Sequence, residues 1–183
     1  MPVLLSGIRH LPGYLDRARQ EALVEVIRAV VAEAPLYVPA MPGTGKPMSV
    51  RMTNCGPLGW VTDKERGYRY QPMHPATGRP WPDMPQQLLD IWNDVARYDK
   101  PPEACLVNFY SDDARMGLHQ DKDEQDLKAP VVSLSLSFAS AVSAAMTVRY
   151  LSSFRAVIWS CSAARGDCVS MASTAFTRRR RRS

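Results

Sequence analysis

Apolar residues recur with helical spacing in two parts of the chain. Residues 16–34 carry apolar side chains three and four positions apart, and Asp16 and Pro35 stand where an N-cap and a helix stop belong. These apolar positions are Leu23, Val26, Ile27, Val30 and Ala34. A second helix is predicted to start near Pro85. Its apolar face is formed by Leu88, Trp92 and Val95.

Extended segments follow one another at short intervals in the rest of the chain. Residues 35–82 are rich in proline, glycine and aromatic residues, and we predict short strands and loops there. Further strands are predicted over 104–110, 116–121 and 131–136. The last of these places three apolar side chains on one face: Val132, Leu134 and Leu136. Strands in such quick succession indicate an antiparallel sheet or barrel.

The composition changes after about Ser137. Alanine, serine and arginine fill 26 of the last 45 positions, proline is absent from them, and no strand or helix period is sustained. Residues 139–183 carry a net charge of +7, whereas residues 1–138 carry −2, within a total of +5. The basic character therefore belongs to the tail and does not indicate nucleic-acid binding by the body of the chain.

Length and cysteine usage narrow the class of protein. The 183 residues suffice for one domain with a core, and no apolar run is long enough to span a membrane. The four cysteines, at positions 55, 105, 161 and 168, have neither zinc-site nor disulfide-framework spacing. We therefore expect reduced thiols in a cytoplasmic protein. We also expect the protein to be a monomer without membrane contact. His10 and His74 are expected at the surface.

His119 and Asp121 are the strongest candidates for a chemical site. On a strand, side chains two positions apart point to the same face, so this imidazole and carboxylate can share one metal ion. A distal histidine would complete the two-histidine, one-carboxylate triad that holds Fe(II). An isolated pair of this kind is more often a surface feature than a metal site, so the surrounding sequence has to decide.

The sequence around this pair resembles the AlkB family of nucleic-acid dealkylating dioxygenases. The resemblance rests on HQDKDE at 119–124, preceded by Asn-Phe-Tyr at 108–110. Earlier segments agree with it in order and spacing: MTNCG at 52–56, LGW at 58–60, GYRY at 67–70, PWP at 80–82 and Met-Pro at 84–85. The similarity runs from about residue 47 to about residue 136, which is roughly half of the chain.

The family resemblance implies both a fold and a reaction. The fold would be α+β, a double-stranded β-helix (jelly-roll) dioxygenase core with N-terminal helices, here incomplete after about residue 137. Fe(II) would be the metal, with 2-oxoglutarate and O2 as co-substrates. The reaction would be repair of alkylated DNA by oxidative demethylation of N1-methyladenine or N3-methylcytosine in single-stranded DNA or RNA. Methylation at these positions blocks pairing and eases extrusion of the base.

The resemblance also implies two sets of ligands for the reaction centre. His119 and Asp121 match the first two iron ligands, and Asn108 and Tyr110 match residues that hydrogen-bond 2-oxoglutarate. Without the family context, Asn108 would more simply satisfy a buried backbone group.

The substrate-binding positions implied by the resemblance surround an extruded base. They are Trp60, Tyr68, Arg69, Tyr70 and Asp123. Trp60 matches the ring that stacks on the base, and Asp123 matches a carboxylate near the exocyclic amine. An extruded base needs such an aromatic platform and a polar reader of its edge. The alternatives are core aromatics for Trp60 and Tyr68 and a solvated charge for Asp123.

The third iron ligand of the family has no counterpart in this sequence. The chain has three histidines and none follows Asp121, and the family's late co-substrate arginines are also missing. We expect little or no turnover, since even the loss of supporting contacts weakens a metal site by about 10–100-fold. Three classes stay open: an AlkB-type dioxygenase by descent, a non-catalytic nucleic-acid-binding remnant, and an unrelated metal-binding barrel module.

A reading frame lost near Ser137 would explain the altered tail. In the shifted frame, codons 137–142 can encode Phe-Arg-Val-Gly-Gly, and codons 155–166 can encode a Gly-Gly-Asp-Leu-Val-Val-Leu-Gly-Gly-Glu-Gly segment. Codons 169–172 can encode Phe-His-Gly, which is similar to the family's setting of the missing histidine. We therefore divide the chain into an AlkB-like domain, 1–136, and an aberrant, poorly ordered tail, 137–183. The competing interpretation is a genuine basic tail that binds phosphates.

Overall fold

The structure is a computed structural model, and it describes residues 3–5, 8–110, 129–137, 145–150 and 168–174. Side-chain environments are described for 9–110 and 129–136. His119, Asp121 and Asp123 lie outside the described residues, as does the strand predicted over 116–121.

Both predicted helices are confirmed. Helix α1 spans Arg17–Glu33, and the Asp16 carboxylate caps it by accepting a hydrogen bond from the Arg19 amide at 2.8 Å. Helix α2 spans Gln86–Val95, directly after Pro85. The buried residues of the two helices are Leu23, Ile27, Val30, Leu88, Ile91, Trp92 and Val95. No helix in the described part of the chain is both long and apolar enough to cross a membrane.

Within the described residues, nine strands form one large sheet and one hairpin. They are β1 (Val3–Leu5), β2 (Ile8–Pro12), β3 (Arg51–Cys55), β4 (Gly59–Asp63), β5 (Gly67–Gln71), β6 (Ala104–Tyr110), β7 (Pro130–Ser137), β8 (Ala145–Tyr150) and β9 (Cys168–Thr174). The large sheet has the order β1-β2-β8-β7-β9-β6-β3, and all of its pairs are antiparallel. Strands β4 and β5 form the separate antiparallel hairpin.

One face of the large sheet packs against the two helices, and the other face carries the candidate functional side chains. Cys105 and Val107 of β6 belong to the main core with both helices. Val132, Leu134 and Leu136 of β7 join the same core, as their alternation predicted. The neighbouring side chains of β6, at Leu106 and Tyr110, instead form a second cluster with residues before and within β3. The alternation of each strand therefore separates structural from candidate functional side chains.

The sheet continues beyond the point at which the sequence pattern predicted an incomplete barrel. Strand β8 pairs with β2 and β7, and β9 lies between β6 and β7. Strand pairing uses backbone amides and carbonyls, which every residue except proline supplies in full, so it requires no side-chain periodicity. These two strands cover edges of β6 and β7 that would otherwise be unpaired.

Candidate active site

The face of the large sheet opposite the helices carries two asparagine side chains, Asn108 on β6 and Asn54 on β3. Asn108 on β6 lies directly opposite Met52 on β3, and Leu106 lies opposite Asn54. Because side chains alternate along a strand, Asn108 shares its face with Leu106 and Tyr110. The sequence spacing of Asn108 and Tyr110 therefore brings both predicted co-substrate residues to one face.

The Asn108 amide has the properties of a ligand-binding group. Its side chain is buried, with 6% exposure, and its Oδ1 atom has no hydrogen-bond partner among the described residues. A buried polar group without a partner is costly, and the two ends of an amide can exchange by a flip of the side chain. Asn108 can therefore offer a donor or an acceptor to a carboxylate-bearing molecule such as 2-oxoglutarate.

Tyr110 connects this face to the hairpin. It packs with Val50 and Met52 in a cluster that also includes the partly buried Trp60 on β4. The predicted co-substrate residue and the predicted base platform are thus parts of one packed group. This cluster joins residues from segments that are far apart in sequence, and no local pattern predicts it.

The β4–β5 hairpin presents an aromatic face. Trp60 lies directly opposite Tyr70, and Thr62 lies opposite Tyr68. The Trp60 and Tyr68 rings are stacked, with centroids 5.4 Å apart and planes at 24°. Tyr68 is 45% exposed, which is unusual for a large aromatic side chain that only fills a core. The structure thus brings Trp60, Tyr68 and Tyr70 together on one face of the hairpin.

Arg69 lies on the opposite face of the hairpin from these aromatic residues. Its guanidinium donates to the Asp63 carboxylate at 2.5 Å, to the Gly67 carbonyl at 3.0 Å and to Gln71 at 3.0 Å. The Arg66 amide, together with Arg69, holds the pKa of the Asp63 carboxyl below its usual range. Arg69 therefore stabilises the hairpin through these bonds, and it does not lie on the face that carries Trp60, Tyr68 and Tyr70.

His74 is a core residue, so its predicted surface position is wrong. It is 1% exposed, and its Nδ1 atom accepts hydrogen bonds from the amides of Ala76 and Thr77 at 3.1 and 3.3 Å. The hydrogen therefore sits on Nε2, which donates to the Pro35 carbonyl at 2.7 Å. A histidine can satisfy both nitrogens in this way only after the loop has folded, and no sequence signal announces it.

The rings of Tyr37 and Trp81 contact His74 and are also hydrogen-bonded to the β4–β5 hairpin. The His74 ring lies 4.9 Å from the Trp81 ring and 5.3 Å from the Tyr37 ring. Trp81 donates a hydrogen bond to the Gln71 carbonyl of β5 at 2.8 Å, and Tyr37 donates to the Trp60 carbonyl of β4 at 3.3 Å. No local sequence pattern predicts this supporting role of Tyr37, His74 and Trp81, although PWP at 80–82 was part of the family resemblance.

The protein is expected to lose stability at alkaline pH because of two buried acids. Burial raises the pKa of the Tyr37 phenol above its ordinary value of 10.0. A hydrogen bond with Cys105, then burial, raises the pKa of the Cys55 thiol above 9.0. The unfolded chain loses these protons first, so stability is full below about pH 9 and falls as the pH rises through the folded-state values.

Urea unfolding between about pH 8 and pH 11 measures this effect. The midpoint should fall with pH, and Tyr37→Phe should make the fall above about pH 10 shallower because the phenol has been removed. An unchanged slope in Tyr37→Phe would contradict the assignment to Tyr37.

The described residues do not contain a metal site by themselves. No group of three histidine, cysteine, aspartate or glutamate side chains comes together within them. Cys55 and Cys105 are buried free thiols on the helix face of the sheet, where they pack with the main core. The metal role predicted for His119 and Asp121 concerns residues beyond the described part of the chain.

Comparison with solved structures defines the class of fold. The solved structure of OsALKBH1 matches with a TM-score of 0.62 at 22% sequence identity, over 96% of this chain and 100% of that chain. The sequence model of the 2OG-Fe(II) oxygenase superfamily matches residues 7–173 of this chain. The fold is therefore the jelly-roll dioxygenase fold of that superfamily, which confirms the predicted fold class at this level.

Curated relatives then identify the branch of the superfamily. An alpha-ketoglutarate-dependent dioxygenase AlkB homolog from Caulobacter vibrioides is 55% identical over 133 residues, which cover 73% of this chain and 60% of the relative. The AlkB dioxygenase of Escherichia coli is 47% identical over 120 residues, covering 63% of this chain and 55% of the relative. The chain belongs to the AlkB family of 2OG-Fe(II) oxygenases. It matches little more than half the length of these relatives.

Proposed function

We propose that the protein encoded by this gene is a demethylase of N1-methyladenine or N3-methylcytosine in single-stranded nucleic acid. One observation carries the proposal: the aromatic face of the hairpin and the polar face of β6 meet in one cluster through Trp60 and Tyr110. Trp60 and Tyr68 would thus form a ring platform for a base, on the same side of the fold as Asn108, whose amide oxygen has no partner among the described residues.

The relatives support a nucleic-acid substrate. Proteins similar to this chain include a tRNA demethylase of Schizosaccharomyces pombe, 31% identical over 99 residues, and a DNA N(6)-methyladenine demethylase of Arabidopsis thaliana, 54% identical over 39 residues. Because these names include both RNA and DNA substrates, they support the reaction class and leave the choice of nucleic acid to experiment.

Separate groups of residues would bind the co-substrate and the base. Fe(II), 2-oxoglutarate and O2 would supply the oxidation of the methyl group, with His119 and Asp121 as the proposed metal ligands. Asn108 would donate a hydrogen bond to a 2-oxoglutarate carboxylate, and its burial would keep water from competing for that bond. Trp60 would stack on the extruded base, with Tyr68 and Tyr70 beside it and Asp123 at the exocyclic amine.

We further propose that this 183-residue chain has little turnover because its reading frame is lost near Ser137. No histidine follows Asp121 in the 183 residues, so the third iron ligand is missing. The shifted frame restores Phe-His-Gly at codons 169–172. In the structure, β9 pairs with β6 so that Ser170 lies opposite Asn108. A histidine restored in this segment would thus lie on the strand next to the one that carries Asn108, which supports the proposal.

The test compares this chain with a frame-restored version of it. Gene sequencing across codons 130–145 first establishes whether the shifted frame is present. Formaldehyde release from an oligonucleotide with one N3-methylcytosine is then measured with and without 2-oxoglutarate. We expect turnover from the restored chain and at least about 100-fold less from the present one, since the loss of a residue that binds the metal directly costs more than the loss of its supporting contacts. Equal turnover would contradict the inactivity, and no turnover from the restored chain would contradict the demethylase assignment.

The same geometry favours a second, weaker function for the present chain. The stacked pair of Trp60 and Tyr68 and its supporting rings need no metal ion to assemble. The chain would then bind methylated single-stranded nucleic acid without turning it over. Tight binding with no formaldehyde release is the outcome that supports this remnant function.

A further inference from the structure

The Asn54 side chain holds the main chain of Trp60 at two points. Its Oδ1 atom accepts a hydrogen bond from the Trp60 amide at 3.0 Å, and its Nδ2 atom donates to the Trp60 carbonyl at 3.1 Å. Asn54 is fully buried on β3, with 0% exposure. A side-chain amide has the same donor and acceptor as a peptide group, so Asn54 acts here like a residue of a neighbouring strand.

This pair of bonds occupies the outer edge of β4. Successive residues of a strand point their amides and carbonyls to alternate sides, so the groups of Trp60 that meet Asn54 point away from β5. The hairpin pairing between Trp60 and Tyr70 therefore does not by itself hold these groups. Asn54 ties the hairpin to the large sheet at the residue that carries the proposed platform.

Close packing on either side leaves Trp60 little freedom. Tyr37 donates a further hydrogen bond to the Trp60 carbonyl at 3.3 Å. At the preceding residue, Gly59, an added Cβ would lie 2.4 Å from the Trp81 ring and 2.8 Å from the Asn54 Cβ. The main chain of Trp60 is thus held by the buried Asn54 side chain and by Tyr37, and Trp81 packs closely beside it.

We infer that Asn54 is a positioning residue for the base-stacking ring of Trp60, and this inference rests on the proposed function. Asn54 does not need to touch the nucleic acid. Its two hydrogen bonds set the position and tilt of the β4 main chain, and so of the indole, before a base arrives. A pre-positioned ring loses less conformational freedom on binding than a mobile one, so it discriminates more strongly between bases that stack differently.

Thr53 provides a matched control on the same strand. It is also buried at 0% exposure, and its hydroxyl donates to the Ala34 carbonyl at 2.8 Å on the opposite face of β3. Thr53→Val removes one buried hydrogen bond with almost no change of volume. It therefore reproduces the stability cost of a polar deletion on β3 without touching Trp60.

The experiment measures the preference of the chain for a methylated base. Dissociation constants are determined by fluorescence anisotropy for a single-stranded oligonucleotide with one N3-methylcytosine and for the same oligonucleotide with cytosine. Asn54→Ala is expected to reduce the methyl preference about tenfold, whereas Thr53→Val retains it at a similarly lowered Tm. Asn54→Asp keeps the side-chain volume but loses the donor to the Trp60 carbonyl, so it should reduce the preference in the same direction if Asn54→Ala folds poorly.

Tryptophan fluorescence gives an independent readout. Binding of the methylated oligonucleotide should quench tryptophan fluorescence, and the part due to Trp60 is obtained by difference from Trp60→Phe. This part should be smaller in Asn54→Asp and unchanged in Thr53→Val. A full methyl preference in folded Asn54→Asp would overturn the inference while leaving the proposed function intact. No effect of Trp60→Ala on the preference would overturn both, because Asn54 would then have no platform to position.

Discussion

Replacement of His74 by alanine is expected to lower the free energy of unfolding by about 3–5 kcal/mol. The substitution removes a fully buried ring that contacts both Tyr37 and Trp81. It also leaves the Pro35 carbonyl and two loop amides without the partners that they have on the imidazole. Cavity formation and unsatisfied buried groups act in the same direction, so the cost exceeds that of either alone.

Thermal unfolding of His74→Ala measures this effect. A chain of this size should lose about 10 °C in Tm, since each kcal/mol corresponds to roughly 2–4 °C. His10→Ala is the control, because His10 is only partly buried and lies on β2, in a different part of the fold. A similar small loss in both variants would show that His74 is not the centre of the supporting ring cluster.

Gly59→Ala is the second substitution with a large expected effect, at about 3 kcal/mol of lost stability. The new methyl group would lie 2.4 Å from Cε2 and 2.5 Å from Nε1 of Trp81. Trp81 is buried and its Nε1 is bonded to the Gln71 carbonyl, so the ring cannot retreat without breaking that bond. The hairpin would have to shift, and Trp60 with it.

Gly43→Ala separates crowding from backbone strain. Gly43 has a φ of 71°, a left-handed conformation, but an added Cβ would have no heavy atom within 4 Å. That variant should cost only about 1 kcal/mol, from the conformation alone. Urea unfolding of the two variants gives the comparison, and equal losses would contradict the role of the Trp81 contact.

Much of the secondary structure could be predicted because it depends on local periodicity. The spacing of Leu23, Ile27 and Val30 makes one apolar stripe on α1, and Asp16 caps that helix as expected. Residues 104–110 and 131–136 were also predicted as strands, and both lie within observed ones. A helix stripe or a strand alternation reports burial directly, which is why these predictions hold.

The candidate site could be predicted only in part. The two-residue spacing of Asn108 and Tyr110 implies a shared face, and the structure shows this face. The same spacing separates Tyr68 and Tyr70 from Arg69, although the three were grouped as one substrate-binding segment. A motif names neighbours in sequence, whereas a strand sends them to opposite faces.

The roles of Asn54 and His74 depend on tertiary contacts. Each side chain bonds backbone groups from another part of the chain: Trp60 for Asn54, and Pro35 for His74. A buried asparagine or histidine is stable only where such partners meet it, and their approach is a property of the folded chain. A polar residue in a single sequence therefore looks like a surface residue until its partners are known.

The sequence by itself determined the family, the helices, the strand alternation and the residues with the required chemistry. These features are local, since motif spacing and hydrophobic period act over a few residues. The tertiary structure decided which chemistry-bearing side chains meet, placing Trp60 with Tyr110 and turning Arg69 away from them. It also showed that Asn54 and the rings around His74 hold the hairpin in place, because long-range packing brings together segments that are far apart in the chain.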